Sequence, residues 1–188
     1  MMLLTGEESN DVYRSVFSIF KSRSIWLVTN LFATIVAASV VGEFQDIIAQ
    51  LSILAVLMPI VASMGGTTGQ QTLAVVVRSL ATKELNSRNA LRMIGKEFMV
   101  GLCNGLLFAV MIGIAVRIWF PGQEMISYII ALAMLCNLTV ASLAGILIPL
   151  TINRLKIDPA IASGVFLIAC TDSGGYFIFL GLAKLLLF

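Results

Sequence analysis

The sequence predicts an all-α polytopic membrane protein, and three observations carry that prediction. Hydrophobic residues make up 59% of the 188-residue chain and charged residues only 12%, about half the charged share of a soluble domain. Apolar segments of roughly 20 residues, long enough to cross a hydrocarbon core of about 30 Å, recur along it. The ~10-residue alternating segments of a transmembrane β-barrel do not occur.

The same composition excludes several functions. A net charge of +2 is too small to argue for nucleic acid as a partner. The chain contains no histidine, which removes imidazole metal ligands, serine–histidine catalysis and histidine proton relays. Cys103, Cys136 and Cys170 each fall within an apolar segment without a CxxC pair, and read as small buried hydrophobes. The start, "MMLLTGEESND", has acids and no apolar h-region, so it is not a cleavable signal peptide.

Residues 1–24 read as an amphipathic cytoplasmic leader. "VYRSVFSIFKSR" places Val12, Val16 and Ile19 on one helical face with Phe20 beside them, suited to lie against a membrane surface. Residues 25–188 form the transmembrane domain, with five spans. They cover Ile25 to Gly42, Leu51 to Ala81, Phe98 to Phe120, Tyr128 to Leu150 and Pro159 to Leu187. The second and fifth exceed what a straight crossing needs, so tilt, a break or an extension is expected. Ten of the twelve Lys and Arg residues lie in the leader, the second-to-third loop or the fourth-to-fifth loop. By the positive-inside rule the N-terminus is cytoplasmic and the C-terminus outside. The expected location is the inner (plasma) membrane, crossed several times.

Two spans break the apolar pattern. In the second, Pro59 is followed by Gly65, Gly66, Thr67, Thr68, Gly69, Gln70 and Gln71, a run without one aliphatic side chain. A kinked helix whose hydroxyls bond back to its own carbonyls is one reading. A broken helix offering carbonyl and amide oxygens to an ion path accounts better for the length of the run. In the fifth, Asp172 sits about 20 Å along a helix from Pro159, near the midplane. A central Asp costs about 2.5 to 3.5 kcal/mol to insert, and Arg78, Arg117 and Lys184 all lie toward span ends. An internal ion pair or a protonated, hydrogen-bonded Asp would be a structural explanation. The neighbours favour function: Gly164, Ile168, Asp172 and Gly175 share a helical face, and Thr171 and Ser173 add hydroxyls. Such hard oxygen donors suit Mg²⁺ or Ca²⁺. The third and fourth spans carry Gly101, Gly105, Ala109 and Gly113, and Asn137, Ala141 and Gly145, at intervals of four. These read as helix-packing faces, and Asn104 and Asn137 as interhelical hydrogen-bonding residues.

One carboxylate per chain, on five helices, is little to build an aqueous pore. A parallel homodimer would bring two copies of Asp172 to a shared axis, matching one divalent cation. Mg²⁺ dehydrates reluctantly, so such a pair suits the hydrated ion.

The stretches "LAVLMPIVASMGGTTGQQTLAVVVRSLATKEL", "GKEFMVGLCNGLL" and "LIPLTINRLKIDPAIASGVFLIACTDSGGYFIFLGLA" resemble the transmembrane domain of the MgtE family of magnesium channels and transporters, in order and over nearly the whole chain. The specific motifs are the proline followed by a glycine-polar run ending in Gln, and the threonine/serine–aspartate of the last span, here Thr171–Asp172. The resemblance implies a homodimer of five helices per subunit, a cation path along the dimer axis and Asp172 as the principal ion-binding acid. It also implies that the backbone carbonyl of Ile168, one turn earlier, contributes, and that residues 10–22 are the remnant of a connecting helix that plugs the gate. Two positions depart from the family: Thr67 stands where Asn is usual, and Val165 where a proline is common. The N domain and CBS pair that precede the membrane part in the family are not included in this chain, which is expected to be either a trimmed piece or a short member.

The expected function is therefore non-enzymatic: channel-like uptake of hydrated Mg²⁺, with Mn²⁺, Co²⁺ and Ca²⁺ as other candidate ions. The alternative is secondary exchange of a divalent cation against Na⁺ or H⁺. An intramembrane aspartyl protease would need two acids sharing a proton, and no other span has a carboxylate near its middle. A purely structural membrane subunit would explain the glycines and asparagines through packing.

Overall fold

The computed structural model describes residues 15–85 and 89–187, and among them it contains helices and no strand. They are α1 (Val16–Gly42), α2 (Gln45–Gln50), α3 (Ile53–Ala81), α4 (Ala90–Trp119), α5 (Glu124–Arg154) and α6 (Pro159–Leu187). All but α2 are long and apolar enough to cross a membrane. The five spans and the all-helical class expected from the sequence are present.

Local chemistry sets the ends. Ser15 caps α1 by accepting from the Ser18 amide. Pro159 occupies the first turn of α6, where its missing N–H costs nothing, and Asp158 Oδ1 accepts from the Ala160 amide at 2.9 Å. After α3 and α5 the chain turns through Lys83 (φ 60°) and Lys156 (φ 61°). The following amides return to the helix ends, Leu85 to Ser79 and Ile157 to Ile152, closing carbonyls that would otherwise be orphaned.

Three boundaries differ from the sequence expectation. α1 is continuous from Val16 through the predicted leader boundary at residue 24, so residues 16–24 extend the first span; residues 1–14, with most of the leader, lie outside the described residues. The connection between α1 and α3 contains the short helix α2. α4 starts at Ala90, well before Phe98, so Arg92, Lys96 and Glu97 belong to its first turns.

α5 is the axis of the bundle, packing on α3, α4 and α6, while α3 also meets α6 and α1 leans on α6. At one end the start of α3, the start of α5 and the end of α6 interlock through Leu54, Leu57, Ile129, Ile130, Phe179 and Leu180. At the other end Val76, Leu85, Ala90 and Ile146 form a smaller cluster beside the basic connections. α4 runs antiparallel to α5 along the predicted small-residue stripe. A Cβ on Gly101 would lie 2.8 Å from Ser142 Oγ, and one on Gly105 would lie 2.9 Å from the Leu135 carbonyl oxygen. The outward faces remain apolar, with Leu27, Leu31, Leu106, Val110 and Ile114 all exposed, as a lipid environment requires. The cysteines correct one expectation. Cys103 and Cys170 are exposed and Cys136 is intermediate, since their segments turn those positions outward.

Candidate ion-binding site

The polar run of α3 is not a break. Gly65 to Gln71 lie within one continuous helix, which corrects the broken-helix reading, and Thr67 Oγ1 donates to the Ser63 carbonyl at 2.8 Å. The helical period divides the run in two. Gly65, Thr68 and Gly69 are buried, and Gly65 and Gly69 face α5. A Cβ on Gly65 would sit 2.5 Å from Asn137 Nδ2, and one on Gly69 would sit 3.3 Å from the Ala141 carbonyl oxygen. Thr67, Gln70 and Gln71 are exposed on the bundle. The glycines on the buried side permit close helix approach; the amides and hydroxyl on the other side are uncovered at mid-span.

Asn137 explains why those glycines are needed. Its side chain is 1% exposed and its Nδ2 donates to the Val61 carbonyl at 2.7 Å. A Cβ on Gly175 would lie 3.2 Å from its Oδ1. One buried amide thus occupies the junction of α3, α5 and α6, with Gly65 and Gly175 making room for it. This bears out Asn137 as an interhelical hydrogen-bonding residue. It also separates Gly175 from the face of Asp172, with which the spacing had grouped it. Replacing Asn137 with alanine should remove this bond and leave a hole, costing about 1–2 kcal/mol. Thermal unfolding in detergent should show a midpoint several degrees lower, and an unshifted midpoint would contradict the assignment.

On α6, Thr171 is buried, 2% exposed. Its hydroxyl is shared between the Leu167 carbonyl at 3.0 Å and the Ile168 carbonyl at 3.2 Å. The Cβ position of Gly66 is 3.9 Å from Thr171 Oγ1, which sets the polar run of α3 beside the turn of α6 that carries Asp172. Thr171, expected to face the ion path, instead turns into the α3–α6 contact. Asp172 itself is half-buried. No described residue pairs with its carboxylate or donates to it. Two of the candidate counter-charges are engaged at the span ends: Arg117 Nη2 lies 2.7 Å from Glu124 Oε1, and Lys184 Nζ stands over the Phe44 ring at 5.9 Å; the third, Arg78, is exposed in the last turn of α3. Beside Asp172 the helix is uncovered, since Cβ positions at Gly164 and Gly174 would meet no atom within 4 Å.

The described residues contain no group of three or more Cys, Asp or Glu side chains placed to hold a metal ion. The chain therefore presents one mid-span carboxylate without a partner among the described residues, the open side of α6 at Gly164 and Ile168, and an adjacent edge of α3 bearing Gly66, Thr67 and Gln71.

This pairing of a glycine-polar α3 with an acid-bearing α6 lies within residues 58–182, which match the MgtE family description, "Divalent cation transporter". The chain belongs to the MgtE family. Proteins called magnesium transporter MgtE are similar to it in Bacillus subtilis, at 35% identity over 158 residues, 84% of this chain and 35% of that protein. In Enterococcus faecalis the identity is 35% over 182 residues, 97% of this chain and 40% of that protein. In Thermus thermophilus it is 29% over 171 residues, 90% of this chain and 37% of that protein. The chain thus spans between 35% and 40% of the length of these curated relatives.

Within this MgtE-family membrane domain the sequence reading missed one acid. Glu97 Oε2 accepts from Thr72 Oγ1 at 2.8 Å, tying α4 to α3 just beyond the polar run. The clue was present in "GKEFMVG", an acid at the head of an apolar segment, but its partner lies 25 residues away in sequence.

Proposed function

We propose that this chain is the membrane-embedded part of a divalent-cation pathway that takes up hydrated Mg²⁺ in a channel-like manner, as a homodimer in the plasma membrane. The observation that carries this reading is Asp172: a carboxylate midway along a spanning helix, half-buried and without a partner among the described residues. An acid left so at a cost of about 2.5 to 3.5 kcal/mol needs a compensating charge, and a transported cation supplies one.

A second copy would cover the polar edges that one protomer leaves open. Two Asp172 carboxylates then face a shared axis, with Gly164 and Ile168 on α6 and Gly66, Thr67 and Gln71 on α3 lining the approach. Gly65, Thr68, Gly69, Thr171 and Gly175 act behind this lining as the packing that holds α3, α5 and α6 in register. The Ile168 carbonyl becomes available to a water of the hydrated ion when the Thr171 hydroxyl settles fully on Leu167. With the basic connections cytoplasmic, the membrane potential favours entry of a dication by about 2.3 kcal/mol per charge for each 100 mV. Oxygen donors alone also suit Mn²⁺, Co²⁺ or Ca²⁺, with Mg²⁺ leading as a strongly hydrated ion.

The test is electrical. In voltage-clamped bilayers holding the purified chain, currents should reverse at the Mg²⁺ equilibrium potential with no requirement for Na⁺ or a pH gradient. A strict Na⁺ or proton requirement would replace conduction with coupled exchange.

A further inference from the structure

A groove of about 450 Å³ lined by α4 and α5 opens on the surface of the bundle. Its floor is made by small residues: the Cβ position of Gly113 is 3.4 Å from Ala131 Cβ, and Ala109 is buried. Its flanks are Leu106, Val110 and Ile114 of α4, all exposed. Its mouth, at the α4–α5 connection, carries Arg117 and Tyr128.

We propose that this groove binds a single glycerophospholipid with a zwitterionic amine headgroup. Depth, width and charge support this occupant. From Leu106 to Arg117 the helix rises about 16 Å, close to half a hydrocarbon core of about 30 Å, which is the reach of one acyl chain from interface to midplane. The groove volume spread over that length gives a cross-section of about 28 Å², well below the roughly 80 Å² of a helix about 10 Å across with its side chains. An extended hydrocarbon chain fits within it, whereas a helix would have to lie across its rim.

The mouth presents both signs of charge. Arg117 spends one Nη2 donor on Glu124 Oε1, and its remaining guanidinium donors have no partner among the described residues, so they are available to a phosphodiester. Glu124 stands beside it, 61% exposed, where the ammonium of the same headgroup would fall. A purely anionic headgroup would gain the first contact and be repelled by the second. Tyr128 is placed at the rim as interfacial aromatic residues are. The Ser127 hydroxyl on the wall is buried without a hydrogen-bond partner, and a glycerol ester oxygen in the groove would supply one. The proposal requires only that α4 and α5 span the bilayer, so it stands or falls independently of Asp172.

Native mass spectrometry of the purified, delipidated protein tests it, with phosphatidylethanolamine, phosphatidylglycerol and diacylglycerol of matched chains added separately. Wild type should retain phosphatidylethanolamine at least several-fold better than phosphatidylglycerol and show no stable diacylglycerol adduct. Arg117→Gln should lower retention of both phospholipids about tenfold, and Glu124→Gln should erase the preference between them. Val110→Trp, at a flank position that is 55% exposed, should abolish both adducts with an unchanged unfolding midpoint. Equal retention of all three lipids, or adducts unaffected by Val110→Trp and Arg117→Gln, would overturn the proposal. So would loss of the dimer in Val110→Trp, which would make the groove a seat for a second copy.

Discussion

Proteoliposomes bearing Asp172→Ala are expected to take up Mg²⁺ at least tenfold more slowly than wild type. A tenfold loss corresponds to only about 1.4 kcal/mol, which is modest for removing the one mid-span charge that faces the proposed path. Asp172→Asn should be nearly as damaging, because the amide keeps the shape and hydrogen-bonding capacity but not the charge. The same change should leave folding intact. No described residue pairs with Asp172, so its removal breaks no hydrogen bond or ion pair among them, and it relieves an insertion cost of about 2.5 to 3.5 kcal/mol. In Mg²⁺-free detergent the alanine variant should therefore melt at or above the wild-type temperature. Added Mg²⁺ should raise the wild-type midpoint and leave the variant's unmoved. Function and stability then move in opposite directions, as expected where a site is kept at the expense of the fold. Undiminished uptake by Asp172→Ala would remove this residue from the pathway.

The second large effect is expected at the crossing of α3 and α5. A Cβ on Gly145 would lie 2.6 Å from the Gly69 carbonyl oxygen and 2.8 Å from Thr72 Cβ. The first of these is main chain and cannot rotate away. Gly145→Val should force the two helices apart, costing more than the roughly 1–3 kcal/mol of ordinary overpacking. Without a hydrophobic force between helices in lipid, such close packing is a main source of association, so the variant should elute as aggregate or fail to accumulate in the membrane. Gly181→Ala is the matched control. Its Cβ position meets nothing within 4 Å, and alanine is the better helix former by about 1 kcal/mol, so its yield and midpoint should equal or exceed wild type. A well-folded Gly145→Val protein would show that α3 and α5 can slide without loss.

Both effects trace to glycines and polar residues that look alike in sequence. Pattern alone placed Gly65 to Gln71 together as one polar run, yet positions 65, 68, 69 and 72 are buried while 67, 70 and 71 are exposed. The alternation of three and four is the helical period, and it was present to be read once the run was taken as unbroken. Asp172 and Gly175 were grouped by the same kind of spacing. Three residues leave two side chains about 60° apart around a helix, enough for one to meet open space and the other to meet Asn137. Glycine serves both close packing and carbonyl exposure, so its presence cannot distinguish them. The Thr72–Glu97 bond and the Asn137 junction join positions remote in sequence, which no local period encodes.

The sequence by itself determined the membrane class, the five spans and the singular position of Asp172. Each follows from transfer between water and lipid, and that cost is set residue by residue along the chain. Only the tertiary structure decided which glycines of α3 pack and which polar groups stay uncovered, that Thr171 turns inward, and that Asp172 is left without a partner among the described residues. Those outcomes depend on what lies across each helical face, and that is fixed by how α5 seats between α3, α4 and α6.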